Sequence, residues 1–141
     1  MKSDSLTLNV FVYGTLKPGE ANFAYYCLKK LQKQIPAYTW GNLYALPVAY
    51  PAMTTGENKV RGILLTFSDP SVLNSLDRLE GYQPGRDSSL NEYYRQLVDV
   101  YSLDNRFLGK AWAYFMTVDR VKHHRGTIII SGWWTGDAAL D

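Results

Sequence analysis

The stretch Val10-Phe-Val-Tyr-Gly-Thr-Leu-Lys-Pro-Gly19 constrains this chain more than any other. A run apolar on both faces has no side to offer water, so Leu6 to Tyr13 is predicted as a buried strand. The strand must stop at Gly14, because Pro18 and Gly19 break regular structure just beyond it. A core strand that breaks into a tight loop leaves backbone N–H groups unpaired beside the core. Gly14 lets a ligand approach the main chain, and consecutive amides around Tyr13-Gly14-Thr15-Leu16 can form a concave nest for an anionic or carbonyl oxygen. The same residues would also serve as a plain strand-to-loop turn, so the loop alone does not decide a function.

The glycine spacing from Gly14 to Gly19 imitates a phosphate-binding loop, but Glu20 and Ala21 follow where that motif needs Lys and then Ser or Thr. A carboxylate at that point would repel phosphate, which argues against nucleotide binding.

Beyond the loop, Phe23, Ala24, Cys27, Leu28 and Leu31 recur at helical spacing. They predict a helix that runs from Glu20, carries Lys29, Lys30 and Lys33 in its last turns, and ends at Pro36. Ala37 to Ala45 reads as a strand bent or bulged at Gly41. Tyr50-Pro51-Ala52-Met53 reads as an ordered loop or short strand, Thr55 to Asn58 as a turn, and Val60 to Phe67 as a strand. Asp69 then caps a helix with Pro70 at its first position and Val72, Leu73, Leu76 and Leu79 as its inner stripe. Gly81 stands where a left-handed residue closes a helix. Gln83 to Asn91 is polar and loose. Tyr93 to Tyr101 and Phe107 to Thr117 form a hairpin around Asp104-Asn105, and Thr127 to Trp134 supplies a final strand. Two helices among roughly six strands, several antiparallel, give an α+β fold with a strongly curved sheet or small barrel. At 141 residues, without repeats or linkers, the chain is expected to be one domain spanning 1–141.

Glu80 is the candidate acid/base. It lies in the last turn of the predicted 70–80 helix, beside the apolar stripe. The negative end of the helix dipole raises the pKa of a carboxylate there, and partial burial raises it further. The alternative is a solvated glutamate next to a capping glycine. Asp77 is expected to face solvent or pair with Arg78. Tyr94 opens a strand, either as a ligand hydrogen-bonder or as a packed aromatic. His123 and His124 are adjacent, so their side chains diverge; without a third ligand at zinc spacing they read as a solvated loop, and no metal is assigned. Cys27 reads as core packing.

Eleven Tyr, five Phe and four Trp call for an aromatic-rich core or pocket, and a net charge of +2 is too small for a nucleic-acid surface. No apolar run approaches the ~20 residues of a membrane span, nor is there an apolar leader, so a cytoplasmic protein with no membrane partner is expected.

The stretches Tyr13-Gly14-Thr15-Leu16-Lys17 and Leu76-Asp77-x-x-Glu80-Gly81, with Tyr50-Pro51-Ala52, Val60-x-Gly62, and Tyr94, Arg95 and Val98 in order, resemble the gamma-glutamylcyclotransferase-like family, in its gamma-glutamylamine branch. The resemblance covers about Val10 to Met116. It implies a small mixed barrel around a central cavity, with Glu80 as acid/base and the 13–16 loop holding substrate. The segment from Gln83 to Tyr93 looks longer than in compact members. The implied reaction converts a gamma-glutamyl amine or related amide to 5-oxoproline and a free amine. That substrate carries its own nucleophile, so no cofactor is expected. Its partners would be the small gamma-glutamyl substrate and, in a homodimer, a second copy; a monomer is equally consistent. Two other readings remain: a non-catalytic ligand-binding domain on the same scaffold, and a barrel that binds RNA or a protein through exposed aromatics.

Overall fold

β1 (Leu8–Val12) is paired on both sides, antiparallel to β3 (Pro51–Phe67) with Val10 opposite Leu65, and parallel to β5 (Phe107–Phe115) with Val10 opposite Trp112. The computed structural model describes residues 7–27, 30–48, 50–87 and 90–136. Its other elements are α1 (Phe23–Tyr26), β2 (Leu31–Ala45), α2 (Val72–Leu79), β4 (Tyr94–Ser102), α3 (Val118–His123) and β6 (Thr127–Ile128). The strands run in the order β3-β1-β5-β4-β2, and β2 pairs back onto β3. Five strands thus close a barrel, with β6 attached to β2 outside the ring. The fold is α+β, a closed mixed barrel with short helices.

The pleat explains the apolar run from Val10 to Tyr13. Leu8, Val10 and Val12 point into a cluster with Phe67, Val72 and Leu76, under α2. Phe11 and Tyr13 point the other way, among Leu43, Met53, Val100 and Phe115. A strand buried on both faces has no polar positions to spare.

The helix expected from Glu20 to Pro36 is a single turn, Phe23–Tyr26, and the chain is already a strand at Leu31. Leu28 and Lys29 lie outside the described residues. From Leu31 onward β2 pairs residue by residue with the end of β3, Leu31 opposite Phe67 and Ile35 opposite Leu64. Long-range pairing here overrides local helical spacing. Pro36 ends no helix; it sits within β2 just before pairing with β4 begins at Ala37, where a missing donor leaves no bond unmade on that side.

β3 continues through the turn expected at Thr55 to Asn58. The register jumps from Gly41 opposite Asn58 to Asn42 opposite Thr54, so residues 55–57 form a bulge on one long strand. Toward the C-terminus, α3 replaces the expected solvated loop at His123-His124. Thr117 caps it, its hydroxyl accepting from Arg120 N at 3.2 Å. The final strand shrinks to Thr127–Ile128.

Candidate functional site

α2 aims Glu80 by the way it ends. Gly81 takes φ +69°, a left-handed turn that suits glycine. Tyr82 N then donates to Asp77 O at 2.9 Å and Gly81 N to Arg78 O at 3.3 Å. Those two bonds form a complete C-terminal cap. Val72 and Leu76 sink into the core, and Leu79 and Glu80 reach a cavity of about 200 Å³. An apolar cavity of about 150 Å³ holds one benzene molecule, so this one suits a small acyl group.

Across the cavity lie Tyr13, Gly14, Thr15 and Leu16. Lys17 N closes a turn onto Gly14 O at 3.0 Å, and Asn22 braces the loop through N to Thr15 O at 2.8 Å and Nδ2 to Thr15 Oγ1 at 2.9 Å. Among the described residues, no backbone oxygen accepts from the amides of Gly14, Thr15 or Leu16. Gly14 is packed too closely for any side chain: a Cβ there would fall 2.8 Å from Pro51 Cγ. Pro51 is held in turn by the Tyr93 hydroxyl, which donates to its carbonyl at 2.7 Å.

Two carboxylates line this cavity, Glu80 and Glu92, and their surroundings differ. Glu92 is paired with Arg120, Oε1 lying 3.3 Å from Nη1, while its Oε2 sits 2.9 Å from His124 Nε2 without a hydrogen bond between them. Burial pushes the Glu80 carboxyl up to about 7, and no cation or donor among the described residues offsets it. Carboxylates with unequal environments take unequal protonation roles, and Glu80 is the one poised to exchange a proton near neutrality. The phenols around it are held neutral. Burial first, then the charge of Glu80, raises Tyr13; Tyr93 is raised by burial, then by Tyr13 and Glu80; Tyr114 is raised by burial and by its bond to Asp77.

The structure thus brings Glu80 and all four residues of the 13–16 loop to one cavity. Tyr94 does not line it. Tyr94 stacks on Phe115 with ring centroids 5.7 Å apart and lines a second pocket beside Arg120 and His123, while the neighbouring Tyr93 lines both. Alternation along the strand decides which of two adjacent tyrosines turns inward. Asp77 neither faces solvent nor pairs with Arg78. It is buried, accepts from Arg95 Nε at 2.8 Å and from the Tyr114 hydroxyl at 2.6 Å, and so ties α2 to β4 and β5. Glu92 and Asn22 are further cavity residues. Asn22 carried no sequence signal, since its role depends on where the loop folds back.

No cluster of three or more His, Cys, Asp or Glu able to hold a metal occurs among the described residues. No described helix is long and apolar enough to cross a membrane.

Comparison with known proteins identifies the family. The profile of the family "Gamma-glutamyl cyclotransferase, AIG2-like" matches residues 10–136, from the first strand through the C-terminal segment. A Vibrio cholerae protein named "Putative gamma-glutamylcyclotransferase" is 32% identical over 125 residues, covering 89% of this chain and 93% of its own. Bacillus subtilis YkqA is similar in structure at TM-score 0.65 and 25% identity over 91% of this chain, which spans only 39% of YkqA. A mouse AIG2-like protein shares the fold at TM-score 0.60 and 16% identity, covering 92% of this chain and 88% of its own. A barrel that seats a desolvated glutamate opposite a Tyr-Gly-Thr-Leu loop, matched along nearly its whole length by one family's profile, places this chain in the gamma-glutamyl cyclotransferase, AIG2-like family.

Proposed function

We propose that the protein is a cyclotransferase acting on a gamma-glutamyl amine or related gamma-glutamyl amide, releasing 5-oxoproline and a free amine. The observation that carries this reading is the placement on one small cavity of Glu80, with its raised pKa, and of Gly14, Thr15 and Leu16, whose amides meet no backbone oxygen among the described residues.

A gamma-glutamyl amide needs no nucleophile from the protein. Its α-amine closes a five-membered ring on the γ-carbonyl, and holding the two in register removes roughly 7–11 kcal/mol of barrier. The amine must first lose a proton, its pKa being about 8 by analogy with chain termini. Glu80, ionised above about 7, accepts that proton. Attack forms the C–N bond and puts negative charge on the carbonyl oxygen. The loop amides then stabilise that oxyanion or hold the substrate's other polar groups. Two protons leave the attacking nitrogen and two finish on the departing amine, so one group that both accepts and donates is enough. Glu80 returns its proton to the leaving nitrogen as the old C–N bond breaks. The aromatic wall of Tyr50, Tyr93 and Tyr114 accommodates the substrate's carbon skeleton.

The test is release of 5-oxoproline from a panel of gamma-glutamyl amides by the wild type and by Glu80→Gln. Removing a general acid/base lowers turnover by about 10²- to 10⁴-fold. Unchanged release by a folded Gln variant would remove Glu80 from the mechanism. A wild type stabilised thermally by these compounds without forming product would be a binding domain.

A further inference from the structure

Lys17 immediately follows the 13–16 loop, yet its side chain is buried, with only 2% of the residue exposed. Lysine is almost never enclosed without partners. Its Nζ donates to the Trp134 carbonyl and lies 3.6 Å from the centroid of the Trp133 ring. Glu20, at the end of the same loop, accepts from Gly136 N at 3.1 Å. Residues 132–136 therefore meet the loop at two points. They are also fixed to the barrel. Arg61 N on β3 donates to Gly132 O at 2.8 Å, and Trp134 is buried in the cluster that contains Tyr13. The C-terminal segment thus forms a strap between β3 and the far side of the loop.

We propose that Lys17 is a positioning residue, whose ammonium draws the strap onto the 13–16 loop and so holds the loop's amides in the arrangement that receives substrate. The role rests on the cyclotransferase reading of the cavity. The carbonyl and the indole face both favour a cation, and Glu20 adds a favourable charge from the same loop. Arg61 lies against the same indole, 5.6 Å from the Trp133 ring centroid. Burial lowers the Lys17 amine to about 8, with Glu20 acting against that shift. The grip therefore weakens as pH rises through about 8, whereas arginine stays charged throughout.

The experiment compares wild type, Lys17→Met, Lys17→Arg and Trp133→Ala in 5-oxoproline release across pH 6–10 and in calorimetric binding of 5-oxoproline itself. Trp133 is partly exposed, so its removal tests the strap even where burying Met impairs folding. At pH 7 the Met variant should lose at least ten-fold in kcat/KM and in product affinity. Trp133→Ala should lose less, and Arg should restore most of both. The ratio of Arg variant to wild type, in which the substrate's own ionisation cancels, should climb above pH 8. Active wild type with Met and Ala variants of equal kcat/KM and equal product affinity would overturn the positioning role while leaving the cyclotransferase intact. A flat Arg-to-wild-type ratio would also overturn it. Inert wild type that ignores 5-oxoproline would overturn the activity, and the positioning role with it.

Discussion

Asp77 and Glu80 stand one helical turn apart on α2, and the fold treats them oppositely. Asp77 is engaged by the Arg95 guanidinium at 2.8 Å and the Tyr114 hydroxyl at 2.6 Å, while Glu80 faces a cavity with its charge uncompensated. The first carboxylate anchors the helix that presents the second.

Under the proposed mechanism Glu80 is ionised when it accepts the α-ammonium proton, so kcat/KM should rise with pH at unit slope and level off near 7. An acid limb centred near 4.5, the ordinary glutamate value, would show that the carboxylate is solvated in the working enzyme. Steady-state kinetics on one gamma-glutamyl amide between pH 5 and 8 distinguishes the two.

Glu80 also costs stability. Its folded pKa of about 7 lies above the ordinary value of 4.5, so the folded state binds more protons between those limits. Its contribution is most favourable below pH 4.5 and is lost as pH rises through 7. At pH 8 Glu80→Gln should therefore be more stable than wild type by up to about 3 kcal/mol, with the gap closing toward pH 4. Urea midpoints at the two pH values measure it, and equal stability at pH 8 would contradict the desolvation.

Asp77→Asn should destabilise by about 3 kcal/mol, because Arg95 is left half-buried against Trp112 without its counter-charge. Tyr114→Phe removes one hydrogen bond and should lose about 1 kcal/mol. The double variant should lose less than the sum, since both substitutions act on one carboxylate. Strict additivity in chemical denaturation would mean that the two bonds are independent.

Gly14→Ala places a methyl 2.8 Å from Pro51 Cγ and must push the loop away from the wall that Tyr93 braces. We expect at least a ten-fold fall in kcat/KM with circular dichroism unchanged. Activity close to wild type would show that the loop has freedom the packing denies it.

The frame of the candidate site was legible because its signals are local. Gly81 can be read as a helix cap because a left-handed residue is needed immediately after a helix ends, and capping fixes where Glu80 points. The break at Gly14 was visible because an apolar run meets Pro and Gly within a few residues. Asp77, Glu92 and Lys17 were opaque for the converse reason. Each finds its partner far along the chain, Lys17 across 117 positions, and no local pattern encodes such a meeting.

The residues after Glu20 mark the same boundary. Their apolar spacing suits a helix, yet β3 offers a complete ladder from Leu31 onward, and satisfied backbone bonds together with barrel closure outweigh a weak local preference. Sequence alone determined the buried first strand, the loop at Gly14 and the glutamate at the end of α2. Tertiary structure decided which carboxylate is paired and which of two adjacent tyrosines enters the cavity. It also decided what holds the loop in place, because charge pairing and burial depend on distances that exist only once the barrel has closed.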